Sequence, residues 1–127
     1  MIHEDEKDYI MRMIKEAARV LFSVLLGKQY TQVELPQENK YLVSGSSLDE
    51  LKSMVDRGDI NEAENRLLED IDYSSREEVM AAVLFYEYIC EKEEDFLSDH
   101  NYSFEEAVEG LKEVVKNAGY EEFIFGI

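Results

Sequence analysis

Tryptophan is absent from this 127-residue sequence, cysteine and proline occur once each, and glycine occurs six times. The lone cysteine, Cys90, excludes an intramolecular disulfide, which fits a reducing compartment. With Pro36 as the only proline, little in the chain interrupts a helix. Basic residues are scarce as well: 13 Lys and Arg stand against 30 Asp and Glu, a net charge of −17. Such a surface repels phosphate backbones and anionic bilayers, so neither nucleic acid nor membrane is an expected partner. The most apolar run, Val20 to Leu26, falls far short of the roughly 20 residues that cross a bilayer. The first residues, Met1-Ile2-His3-Glu4-Asp5-Glu6, are acidic where a secretory signal is basic, so the expectation is a cytoplasmic protein.

What is present is apolar material at helical spacing. Hydrophobic residues make up 45% of the chain, enough for a core in one helical domain over 1–127. In 1–28, Ile10, Met13, Ile14, Ala17, Leu21, Val24 and Leu25 recur at steps of three and four, which predicts a long N-terminal helix. Phe22 and Leu26 add apolar surface off that stripe, as a central helix or a subunit interface would. Residues 29–46 have no clear period and read as an ordered loop, a minor candidate for partner contact.

Four helix starts then share one signature. Ser47, Asp59, Ser74 and Ser103 are each followed three residues later by a glutamate: Glu50, Glu62, Glu77 and Glu106. The first side chain can accept from a free N–H of the opening turn while the glutamate reaches back. Gly58 and Gly119 sit where left-handed helix stops belong. Helices are therefore expected at 47–57, 60–71, 75–98 and 103–118, followed by an apolar tail over 119–127. Aligning Ala63 with Ala107 pairs Ile60 with Phe104, Leu67 with Leu111 and Ile71 with Val115. That correspondence predicts an all-α fold in which the N-terminal helix precedes two stacked antiparallel helical hairpins over 47–118.

The segment Gly58-Asp59-Ile60-Asn61-Glu62-Ala63, with Leu67 at the large apolar position, resembles the turn and second helix of the tetratricopeptide-repeat family. The resemblance implies stacked hairpins and, as that family's usual use, peptide binding. The chain departs from the pattern in its step, because 44 residues separate Ala63 from Ala107 against about 34 in that family. It also lacks the family's tryptophan and a closing proline near Tyr73 or Ser74. Asp8-Tyr9-Ile10-Met11-Arg12 and Leu25-Leu26-Gly27-Lys28 resemble the opening of a small uncharacterised Firmicutes family of short helical proteins. That second resemblance implies a bacterial protein and no particular activity.

Few residues point to chemistry. Glu91, Glu93, Glu94, Asp95, Asp99 and His100 form the densest ionisable cluster, and on one continuous helix Glu91, Asp95 and Asp99 would share a face beside His100. Those oxygens suit a hard cation, although a charge run is more often a solvated face. The turn from Asp56 brushes the calcium-loop pattern but has Leu67 where the bidentate glutamate must stand, which rejects it. Cys90 falls on an apolar arc and reads as a small buried hydrophobe. Catalytic residues, metal and cofactor are therefore all expected to be none. The expected function is a non-enzymatic protein–protein interaction module. Phe22, Leu26, Tyr86, Phe123 and Phe125 are its interface candidates, and a homodimer is one way to use them. Alternatives are a metal- or small-molecule-binding protein built on the helix-end carboxylates, or an acidic nucleic-acid mimic.

Overall fold

The computed structural model describes residues 4–26 and 42–120, and within the first segment the side chains of only some residues. The described chain is mostly helical. Six helices occur in it: α1 (Glu4–Leu26), α2 (Leu48–Asp56), α3 (Ile60–Glu69), α4 (Arg76–Cys90), α5 (Glu94–Asp99) and α6 (Phe104–Asn117). A two-stranded hairpin, β1 (Leu42–Val43) and β2 (Ser46–Ser47), precedes α2.

The fold is built around α4. From Val79 to Cys90 every side chain is buried except the half-buried Tyr88, as expected of a helix that is apolar nearly all round. It packs against α6, α1, α2 and β1, while α2 packs against α3. Each neighbour contributes residues at helical spacing. These are Ile14 and Ala18 from α1, Leu48, Leu51 and Val55 from α2, and Ala107, Leu111 and Val114 from α6, all essentially without exposure. Burying a Leu or Ile side chain in such a place stabilises the fold by roughly 1.5–3 kcal/mol.

Three helices stop in the same way. Gly58 N–H donates to the Val55 carbonyl and Asp59 N–H to that of Met54, closing α2 in a Schellman motif around a left-handed Gly58 at φ +91°. Gly119 and Tyr120 close α6 on Lys116 and Val115, and Asn101 and Tyr102 close α5 on Ser98 and Leu97. At α5 the left-handed residue is Asn101 (φ 59°), the non-glycine type that best tolerates this region. Helix starts follow the expected signature at Ser47 and Ser103, whose side chains accept from Glu50 N–H and Glu106 N–H. Asp59 occupies its cap position without a side-chain bond.

Three expectations are corrected. The cap of α4 is Ser75, bonded to Glu78 N–H, because Ser74 is held in the preceding turn by Asp72. The helix expected over 75–98 breaks after Cys90: Glu93 is extended and α5 starts anew at Glu94. Finally, part of the expected loop is the hairpin, with Leu42 opposite Ser47 and Val43 opposite Ser46. Its central residues Ser44 and Gly45 have positive φ, as a tight two-residue turn requires. Ser44 N–H donates to Glu78 Oε1 (2.9 Å), and its hydroxyl donates to the Leu67 carbonyl (2.5 Å) while accepting from Asp70 N–H (3.3 Å). The hairpin thus clasps the end of α3, where it takes up the Leu67 carbonyl that lacks a helical partner, and the side chains of Glu77 and Glu78 at the start of α4.

Candidate functional site

The two turns that share the alanine-centred pattern meet directly. Asn61 Nδ2 donates to the Asn101 carbonyl (3.2 Å), and the His100 ring lies so close over Gly58 that a Cβ there would overlap it. His100 Nδ1 lies 2.7 Å from the Phe96 carbonyl, which can only accept, so the proton sits on Nδ1. The ring also stacks at a tilt on Phe96, with centroids 4.6 Å apart. His100 is therefore packing material between α2 and α5.

This placement disperses the acidic cluster. Glu91 caps the end of α4, whereas Asp95 and Asp99 lie on α5 beyond the break, so the three do not share one helix face. Among the described residues no three His, Cys, Asp or Glu side chains converge as a metal site. The break itself is held by Lys92, whose ammonium reaches Asp56 (2.5 Å) and lies over the Tyr88 ring at 4.8 Å and that of Phe96 at 5.6 Å. Lys52 covers Tyr88 at 4.8 Å as well, and Tyr88 Oη donates to Asp56 (2.6 Å). Bonds from Lys92 and then Tyr88 hold the Asp56 carboxyl below its usual range, and the same Asp56 raises Lys92.

A second polar cluster lies deeper. Tyr86 Oη donates to Glu64 Oε2 (2.8 Å) from a ring without exposure, and Gly110 of α6 abuts that ring where a Cβ would come within 2.5 Å. Tyr102 faces the same carboxylate but outside bonding geometry, leaving its buried hydroxyl without a partner. Burial first, then the Glu64 charge, pushes both phenols far upward, and burial raises the Cys90 thiol to about 12. Burial thus favours the protonated form of all three. Tyr86, an interface candidate whose commoner role on a long helix is core packing, is a core residue that joins α3, α4 and α6. Phe123 and Phe125 lie outside the described residues, as do the side chains of Phe22 and Leu26.

On the outer side of the α2–α3 pair runs a shallow trough of about 520 Å³, lined by Met54, Glu62, Asn65, Arg66 and Glu69. A smaller hollow beside it adds Glu50, Ser53 and Arg57. Met54 is nearly buried and forms an apolar floor between charged rims. The sequence signal for this feature was faint, a methionine on the apolar stripe of an otherwise acidic hairpin. Also missed was Glu87, the one charge inside the run from Val79 to Cys90, where its position alone was the cue. No described helix is long and apolar enough to cross a membrane. No curated protein and no solved structure matches the chain. A family model described as a family of unknown function (DUF6483) matches residues 4–119, and the chain belongs to that family.

Proposed function

We propose that the protein is a non-catalytic interaction module whose α2–α3 trough takes a short basic segment of another protein. The observation that carries this reading is the trough itself: an apolar Met54 floor with Glu50, Glu62 and Glu69 along its rim, on a chain of net charge −17. Of the two arginines there, Arg57 lies 3.6 Å from Asp59, which offsets part of its charge. A Lys- or Arg-bearing segment with one apolar side chain fits that chemistry, and the wider negative field speeds its approach.

In this reading the α2–α3 and α4–α6 pairs are two degenerate tetratricopeptide-like hairpins in a cytoplasmic bacterial protein. The contact of Gly58 with His100 supports such stacking. A homodimer through Phe22, Leu26, Phe123 and Phe125 belongs to the same reading, and sedimentation of Phe22→Asp tests it. The main test is an array of Lys/Arg-rich and Glu/Asp-rich peptides probed with the full chain. Basic peptides with an apolar residue are expected to bind, and Glu62→Lys/Glu69→Lys to lose that binding by at least tenfold, on the order of the coupling of close charge pairs. Equal binding of both peptide classes, or indifference to the double substitution, would sink the proposal.

A further inference from the structure

The outer side of α3 carries a charge pattern that α1 carries with the signs reversed. Glu62, Arg66 and Glu69 follow one another at steps of four and three, so they stand in a row along one face of α3, and all three line the trough. Each is exposed, and among the described residues none of them is ion-paired. In α1, Arg12, Glu16 and Arg19 follow at the same two steps and are exposed as well. Laid along each other in one direction, the two rows bring Arg12 to Glu62, Glu16 to Arg66 and Arg19 to Glu69. Both rows are about 10 Å long, at about 1.5 Å per helical residue.

Apolar surface agrees with charge. Met13, half-buried, stands beside Arg12, and Tyr9, one turn earlier, is 65% exposed. On the helix both lie away from Ile14 and Ala18, the buried residues by which α1 seats on α4. They supply apolar side chains of the kind that the Met54 floor accommodates. Charge is also unevenly shared along the chain. Between residues 9 and 26 three basic residues stand against one acidic residue, whereas between 42 and 120 seven stand against 21. At physiological salt, charges more than about 8 Å apart are largely screened, so the local pattern rather than the net charge decides what happens at contact.

We infer that the trough is filled by α1 of a second copy of this chain, its Tyr9 to Arg19 face laid along α3. The trough is lined by α2 and α3 alone while α1 is seated on α4, so the segment comes from another molecule. The inference rests on the reading of the trough as a site for basic and apolar side chains, and it gives that partner an identity. Lys15 and Arg19 also face Glu87 of α4, as Lys52 of α2 does, and Glu16 has an interaction within its own chain. Arg12 is therefore the α1 side chain on which the test turns.

Sedimentation of the full chain at about 0.15 M salt, up to about 1 mM protein, measures self-association. Arg12→Glu and, separately, Glu62→Lys/Glu69→Lys are each expected to weaken it on the order of tenfold. An equimolar mixture of the two variants is expected to recover it, because each supplies the surface that the other has lost. All three positions are exposed, and circular dichroism checks that the variants fold. Should one fail to fold, Arg12→Gln and Glu62→Gln/Glu69→Gln take their place with the same pattern expected. A chain that stays monomeric throughout, association indifferent to either change, or a mixture no tighter than its components would overturn the inference. Basic peptides bound by a chain that stays monomeric would overturn this inference alone and leave the trough its role.

Discussion

The turn between α2 and α3 and the turn between α5 and α6 solve one problem with different residues. Both end a helix in a Schellman motif, and both start the next with an apolar residue, Ile60 or Phe104, three positions ahead of a buried alanine. The first uses Gly58 at the left-handed position and gains nothing from the Asp59 side chain as a cap. The second uses Asn101 there and is capped by Ser103, with Tyr102 inserted between the two. The first turn is thus held by what lies on it, the His100 ring, and the second by its own local bonds. Two turns of one shape thus differ in what enforces it.

The largest test of that equivalence is truncation of the paired anchors. Phe104→Ala is expected to cost about 3–5 kcal/mol in urea unfolding and Ile60→Ala about 2–5 kcal/mol, the range for fully buried side chains. A cost below about 1 kcal/mol at either position would break the correspondence between the two turns.

A smaller and sharper contrast lies at the left-handed residues. Gly58→Ala should cost about 1–2 kcal/mol for the backbone plus a further penalty for overlap with His100. In a His100→Ala background that second part should vanish, leaving about 1–2 kcal/mol. Asn101→Gly, by contrast, should change stability by no more than about 0.5 kcal/mol, because glycine takes the same conformation. A Gly58→Ala cost that stays the same in the His100→Ala background would show that His100 does not brace the first turn.

The smallest effect separates the caps. Ser103→Ala removes an observed bond to Glu106 N–H and should cost about 1 kcal/mol, whereas Asp59→Ala should cost only a few tenths. Thermal unfolding resolves a difference of that size in a domain this small. An Asp59→Ala cost matching that of Ser103→Ala would mean that Asp59 acts through the helix dipole or through Arg57.

Local rules were legible in the sequence where local bonds decide. Ser47, Ser103, Gly58 and Gly119 each do what their spacing announced, because a cap or a left-handed stop is fixed by its immediate neighbours. The break after Cys90 was not legible, because neither glycine nor proline marks it. Lys92, bonded to the distant Asp56 of α2 while lying over Tyr88 of α4 itself, holds it through a contact that the sequence does not show. The hairpin was hidden by its two-residue strands, too short to show alternation, although Ser44-Gly45 is itself a turn signal. Its fastening to Leu67, Asp70, Glu77 and Glu78 spans more than twenty positions and leaves no periodic trace. The trough was equally out of reach, since its floor and rims come from two helices whose angle is set by packing. Glu87 could have been noticed as a charge in an apolar run, but its neighbours on α1 and α2 could not.

The solitary thiol of this chain has a use of its own. Cys90 is wholly enclosed at the end of α4 and its thiol is raised to about 12, so an alkylating reagent cannot reach a thiolate while that helix stays packed. Labelling speed becomes a built-in stopwatch for excursions of the protein's centre. It needs no engineered probe, and no second thiol confuses the count.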